Sequence, residues 1–354
     1  LSAIMEPDNN LIQGLANICE KSHPEIIGVL STGVSEAQGT DLERVIKEFR
    51  QAYPQYGDVR LVPVNTPDFN GCLESGYAKA VEAVIEHAVS RPVSSSDRNG
   101  RDLVILPGSM LTPADIEALR SMVEAFGLNP LFLPDLSLSL NGHLAESRYK
   151  TVTYGGLQTD QFDRLGGACG AISIGLSMAG AATQMQEKTG MPIWCLEGVT
   201  GLADTDRFIS ILMELSGKPV PQAIKRQRDC LRDAYLDTHF YLGQCRTAVA
   251  ADPDLLFSYA ALAKETGLDL QYAVTTGLVD DLDRLSYRVI REGDLADFEE
   301  LAYQYPIDMV IGNSYLAEFC SEQNLPLCRA GYPVYDRLGA SRVCRVGYAG
   351  TTDL

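Results

Sequence analysis

Short apolar runs with strand character alternate with apolar residues at helical spacing along almost the whole chain. The first run, Ile26-Ile27-Gly28-Val29-Leu30, ends in Ser31-Thr32-Gly33, and a helical pattern follows from Asp41. Residues 59–64 read as a second strand closed by Asn65-Thr66-Pro67-Asp68, with a helix expected over 75–89. The polar stretch 90–100 is the best linker in the chain. A second series starts with the buried strand Leu103-Val104-Ile105-Leu106. In Thr112-Pro113-Ala114-Asp115 a capping Thr, a Pro at the first helical position and an acid at the third spell a helix start. Gly127 is a left-handed stop for that helix, and Leu131-Phe132-Leu133 is the next strand, ended by Pro134-Asp135. Strands are expected at 170–175 and 192–197, with a helix over 176–189 between them.

Residues 219–240 carry mixed charge at helical spacing and bridge to a third series. There 246–250 is a strand, Asp252-Pro253 starts a helix, Gly267 ends it, and 270–275 is the next strand. Asp308-Met309-Val310-Ile311 followed by Gly312-Asn313-Ser314 repeats the strand-to-loop step. Alternation of this kind builds parallel sheets. The expected fold is α/β, with three Rossmann-like units near 1–100, 101–215 and 216–354, each a short parallel sheet flanked by helices. The chain opens at Leu1 in helix-like sequence, so the first unit is expected to be incomplete, with its N-terminal segment upstream.

The 354 residues exceed what one ordinary core organises. A net charge of −18 argues against nucleic acid or an anionic membrane as partner. No apolar run approaches the roughly 18–20 residues a membrane span requires, and no signal peptide opens the chain, so a cytoplasmic protein is expected. Nine cysteines at 19, 72, 169, 195, 230, 245, 320, 328 and 344 include no C-x-x-C pair and read as reduced thiols, mostly small buried hydrophobes.

Ligands of open parallel sheets lie beyond the carboxyl ends of the strands. The loops 31–39, 65–76, 107–112, 134–143, 155–156 and 312–314 hold no phosphate-cradling G-x-x-x-x-G-K-[ST] and no G-x-G-x-x-G. No G-x-S-x-G elbow or H-E-x-x-H appears either. Gly166-Gly167-Ala168-Cys169-Gly170 precedes a strand and reads as a tight turn. His143 sits in a loop, where a backbone-bonded histidine is the simpler reading. His239 sits in a helical segment and reads as a core or interface histidine. Asp204, Asp206 and Arg207 open a helix and read as capping residues. No catalytic constellation emerges. Cys72 stands apart among the thiols, because it follows Gly71 in a loop after a strand and before a helix start, where a helix dipole favours the thiolate that binds iron. One cysteine cannot hold a cluster, so further ligands would have to come from another chain or an upstream segment.

These loops, taken in order, resemble the nitrogenase component 1 superfamily. The carrying stretches are Val64-Asn65-Thr66-Pro67-Asp68-Phe69 with Gly71-Cys72, Leu111-Thr112-Pro113-Ala114-Asp115, Leu133-Pro134-Asp135-Leu136-Ser137 and Gly142-His143-Leu144. Asp237-Thr238-His239-Phe240, Ala251-Asp252-Pro253-Asp254, Ile311-Gly312-Asn313-Ser314 and Tyr335-Asp336-Arg337-Leu338-Gly339 continue the match. Within the superfamily the chain is most similar to the NifN branch. The resemblance implies a non-catalytic scaffold for maturation of the nitrogenase iron–molybdenum cofactor, built from two NifE-type α chains and two chains of this type. It implies NifB as donor of the cluster precursor, the reductase component NifH as a further partner, and a precursor held mainly by the NifE-type chain. It also implies a four-iron cluster at the interface of the two chain types, with the family's own cysteine ligand upstream of Leu1.

In the catalytic β subunit the loop matching Ser31-Thr32-Gly33 carries a cluster cysteine. Gly33 cannot bind iron, which argues against that catalytic reading. Cys72 falls where the β subunit has a serine beside its cluster, so Cys72 with Gly71, Ser31, Thr32 and Gly33 are the implied cluster-proximal residues. The relative in dark-operative protochlorophyllide reduction would lack the quoted loops. A plain nucleotide- or sugar-binding α/β protein is disfavoured by the missing phosphate loop.

Overall fold

The computed structural model describes residues 7–67, 69, 71–90, 98–138, 141, 155–277 and 279–354. It opens with α1 (Pro7–Ser22), β1 (Ile26–Leu30), the short α2 (Gly33–Ala37), α3 (Leu42–Ala52), β2 (Arg60–Val64) and α4 (Leu73–Ala88). β1 and β2 pair in parallel, Ile26 opposite Arg60 and Leu30 opposite Val64. Asp41 accepts the Arg44 amide at 3.1 Å and starts α3 where the pattern placed it. One face of α3, Leu42, Val45, Ile46 and Phe49, is buried, as i, i+3, i+4, i+7 spacing dictates. Leu15 and Cys19 of α1 and Val29 and Leu61 of the strands complete that small core.

Next come β3 (Asn99–Pro107), α5 (Pro113–Ala125), β4 (Asn129–Phe132), α6 (Phe162–Gly166), β5 (Ala168–Ile174), α7 (Ala179–Thr189), β6 (Ile193–Leu196) and α8 (Leu202–Ser216). Their strands form a parallel sheet in the order β4-β3-β5-β6. The Thr112 hydroxyl accepts the Asp115 amide at 3.1 Å and the Asp115 carboxylate accepts the Thr112 amide at 2.8 Å, a complete capping box. The remaining elements are α9 (Gln222–Leu242), β7 (Arg246–Ala250), α10 (Pro253–Thr266), β8 (Asp269–Thr275), β9 (Val289–Glu292), α11 (Leu295–Gln304), β10 (Met309–Gly312), α12 (Ala317–Glu322), β11 (Leu327–Arg329) and α13 (Gly347–Asp353). The third sheet is also parallel, ordered β11-β10-β7-β8-β9. The molecule is therefore the expected α/β fold of Rossmann-like sheets flanked by helices.

The sheets share cores. Ala78, Val81 and Ile85 of α4 pack into one cluster with Val104, Leu106, Ala171, Ala182 and Met185, so a helix entered from the first sheet covers a face of the second. The largest core runs from Leu103, Ile105 and Ile172 through Phe208 and Leu231 to Leu256, Phe257 and Ala273, joining the second and third sheets. The chain end returns across this seam: the Arg345 amide donates to Asp115 at 2.6 Å, the Thr112 hydroxyl donates to the Val343 carbonyl at 2.9 Å, and the Gly347 amide donates to the Val199 carbonyl at 2.7 Å.

Two readings of single residues change and a third narrows. The glycine stretch 166–170 is the end of α6 running into β5, since the sheet continues through Ala168, Cys169 and Gly170. Asp204, Asp206 and Arg207 do not cap α8. Its first amides, Leu202 and Ala203, donate to the Glu265 carboxylate at 2.7 and 2.8 Å, while Asp206 takes a bidentate pair from Arg228 at 2.8 and 2.7 Å. A carboxylate brought in by tertiary packing has displaced the local ones. His239 is exposed on α9 and its ring meets Phe240 edge-on, which removes the core alternative and leaves the interface one. His143 lies outside the described residues.

Candidate functional site

Parallel pairing of β1 and β2 sends their following loops out side by side from the carboxyl end of the first sheet. They are stitched through Ser31: its amide donates to the Val64 carbonyl at 2.9 Å, and its hydroxyl accepts the Thr66 amide at 2.9 Å. Ser31 is buried. Thr32 caps α2 by exchanging bonds with Ser35, its hydroxyl accepting the Ser35 amide at 3.3 Å and its amide donating to Ser35 Oγ at 2.8 Å. Gly33 is the first residue of that helix. The Thr32-x-x-Ser35 box could have been read from the sequence, with Ser standing where Glu or Gln is commoner.

Cys72 is the N-cap of α4. Its amide donates to Ser75 Oγ at 2.8 Å, and the Ser75 hydroxyl donates back to the Cys72 carbonyl at 3.0 Å. Gly71 has φ +83, and a Cβ there would stand 2.3 Å from Ser75 Oγ. Glycine is required because both the left-handed backbone and the space for the Ser75 bond depend on it. The Cys72 thiol is free and half-buried. Its sulfur faces Gly277 after β8, 3.6 Å from where a Cβ on that glycine would lie, so the first sheet's loop meets the third sheet's. Leu30, Val34, Phe69 and Leu73, apolar residues close in sequence to Ser31 and Cys72, are 61–71% exposed.

Two residues beyond Cys72, Glu74 is 2% exposed and turns inward. It accepts the Asp254 amide at 3.1 Å, and the Asp254 carboxylate accepts the Ser177 amide at 3.0 Å and the Ser177 hydroxyl at 2.6 Å. One residue from each of the three sheets' following segments thus meets at a single buried point. Gly175, with φ +103, lies so close that a Cβ would be 2.2 Å from Asp254 Oδ2. Burial pushes the Glu74 carboxyl up to about 9, and the Asp254 and Asp252 charges push the same way. Burial also raises Asp254, against the Ser177 hydrogen bonds that favour its charged form. The sequence shows Glu74 only as an acid in a helix's first turn, where solvated dipole pairing is the ordinary expectation.

Among the described residues no three His, Cys, Asp or Glu side chains converge as a metal-binding set. Burial raises most other thiols, Cys320 to about 11 and Cys344 to about 12, which leaves them protonated and poor ligands. Among the described residues of the 31–39 and 65–76 loops, the half-buried Cys72 thiol is the one sulfur donor.

The model of the nitrogenase component 1 type oxidoreductases matches residues 2–354. The chain belongs to this nitrogenase component 1 family. Among curated members, it is 40% identical to a protein of Bradyrhizobium diazoefficiens named nitrogenase iron-molybdenum cofactor biosynthesis protein NifN, over 98% of this chain and 73% of that one. Proteins of the same name from Nostoc and Klebsiella pneumoniae are 39% and 37% identical, over 100% and 99% of this chain and 78% and 76% of theirs. Among solved structures, a chain of a nitrogenase Cp1 at pH 6.5 superposes with a TM-score of 0.92 at 26% identity, covering 99% of this chain and 78% of that one. A second Cp1 chain, at 13% identity and TM-score 0.70, shows the shared component 1 fold alone. No helix among the described residues is long and apolar enough to cross a membrane.

Proposed function

We propose that this component 1 chain is the NifN-type subunit of a scaffold on which the nitrogenase iron–molybdenum cofactor is matured, and that it is not a catalyst by itself. The supporting observation is the match over nearly the full chain to curated proteins of that name. The cluster-side loop agrees with it, because Gly33 offers no side chain where the resemblance puts a cluster thiol in the catalytic β subunit. In this reading the partner is a NifE-type α chain in a heterotetramer, NifB delivers the precursor and NifH acts as reductase. The exposed apolar residues Leu30, Val34, Phe69 and Leu73 face the partner, since exposed apolar surface of this kind marks protein contacts. A four-iron cluster sits between the two chains, with Cys72 as part of its wall. Bound there, the cluster supplies electron storage. This chain's contribution is to hold the Cys72 loop rigid through Ser75 and Gly71 and to shield the site with these apolar residues.

Co-expression of the full-length protein with a NifE-type chain tests this. The expected result is co-purification as a heterotetramer carrying oxygen-sensitive iron–sulfur signals and restoring cofactor to cofactor-free nitrogenase. A stable monomer that ignores the partner, or a heterotetramer that reduces dinitrogen unaided, would overturn it.

A further inference from the structure

The third sheet, ordered β11-β10-β7-β8-β9, reverses its direction of winding at β7, so the loops after β7 and β10 part there and leave a crevice at the carboxyl edge. Such switch points are where open parallel sheets bind ligands. A cleft of about 320 Å³ occupies this position, within the size range of small-molecule sites. Its walls are the strand-end backbone of β7 and β8, Asp252 and Thr276 on one side, Asp294 at the start of α11, and Tyr315 and Tyr332 across the mouth.

The charge pattern selects the ligand. Two carboxylates, Asp252 and Asp294, line the cleft, and no Lys or Arg does among the described residues. The amino end of α10, where a phosphate would otherwise sit, is closed to one. Pro253 has no N–H, the Asp254 amide is already given to Glu74, and Asp252 and Asp254 are themselves acids. The Thr276 hydroxyl donates to one Asp252 oxygen and fixes the carboxylate's orientation, leaving its other oxygen to accept from a ligand. Ala250, Val274, Tyr315 and Tyr332 add apolar lining beside these acceptors. We propose that this cleft binds an uncharged molecule presenting a vicinal diol, the ribose of a nucleoside or the ring of a glycoside, with Asp252 accepting from the diol. Thr276 is a positioning residue for Asp252. The site is separate from the Cys72 face but one loop away from it, since Gly277 follows Thr276 and abuts the Cys72 sulfur.

Saturation-transfer NMR on the full-length protein in its native assembly tests the site, with adenosine, 2′-deoxyadenosine, AMP and methyl glucoside as probes. Adenosine should bind at least tenfold more tightly than 2′-deoxyadenosine, which lacks the diol, and AMP should bind more weakly than adenosine. Methyl glucoside binding without adenosine would support the diol and assign it to a sugar. Asp252→Asn, which removes the charge at a residue whose side chain makes no cap bond to α10, should weaken the preferred probe at least tenfold, and Thr276→Val should weaken it less, with unchanged thermal melts in both. No binding by any diol, equal binding of the deoxynucleoside, AMP binding as well as adenosine, or an Asp252→Asn variant with unaltered binding would each overturn the proposal.

Discussion

The Asp254 amide donates to Glu74 Oε2 at 3.1 Å across the point where the three sheets' segments meet, and both residues are almost wholly buried. This bond ties the helix that begins at Cys72 to the helix that begins the third sheet's first crossover. The acid that makes it is held neutral first by its burial and then by the Asp254 carboxyl that shares the same dry volume.

That arrangement sets a pH dependence. Glu74 is raised from an ordinary 4.5 to about 9, and Asp254 is raised as well. Between these values the folded state holds a proton that the unfolded chain has released, so stability falls as pH rises from about 4.5 toward 9. Urea unfolding at pH 6 and pH 9 should show the lower midpoint at pH 9. Glu74→Gln, which keeps an acceptor without the charge, should flatten the slope. Glu74→Ala should cost about 1–3 kcal/mol at pH 6 by leaving the Asp254 amide without its partner. A Glu74→Gln variant with the same slope as the parent protein would assign the pH dependence elsewhere.

Gly71→Ala should displace Ser75 from its cap, because the new Cβ would meet Ser75 Oγ at 2.3 Å on a backbone with φ +83. A loss of about 1–2 kcal/mol is expected from the strain and the lost cap. Amide exchange should quicken first over residues 72–76. Uniform destabilisation with unchanged exchange there would show that the cap is not what Gly71 protects.

Cys72→Ser bears on the proposed cluster. Iron content of the assembled complex should stay nearly intact, while the cluster's electron paramagnetic resonance signal or potential shifts, since hydrogen bonding and solvent access around the sulfurs tune it. Loss of all interface iron would make Cys72 a ligand. An unchanged spectrum would make it an ordinary thiol at a helix start.

Asp115→Ala should loosen the returning chain end. Asp115 accepts both the Thr112 amide and the Arg345 amide, the latter 230 residues away in sequence. Two amides, one buried and one half-buried, would lose their acceptor, at about 2–4 kcal/mol together. Limited proteolysis should then cut within 330–346 faster than in the parent protein, and equal cutting would place the anchor at Thr112–Val343 instead.

Central strands and helix starts were legible in the sequence because each rests on local physics. β7 falls at Arg246–Ala250 as read, and Thr112, Asp252 and Asp41 begin their helices. β9 and β11 escaped the reading because they are edge strands whose residues are mostly half-exposed, so neither makes a continuous apolar run. α11 escaped it as well, although the Asp294–Asp297 box marks its start. Cys72 was legible as a loop thiol before a helix, and the structure adds its neighbour, Gly277.

The sequence by itself determined the parallel α/β character, the order of the main elements and the helix starts, since alternation and caps act over a few residues. Only the tertiary structure decided that Glu74 faces Asp254 instead of water, that Glu265 and not a local acid caps α8, and that Asp206 belongs to Arg228. Each of these depends on which distant backbone a side chain meets, and a carboxylate in a helix's first turn has the same local signature whether it is solvated or buried.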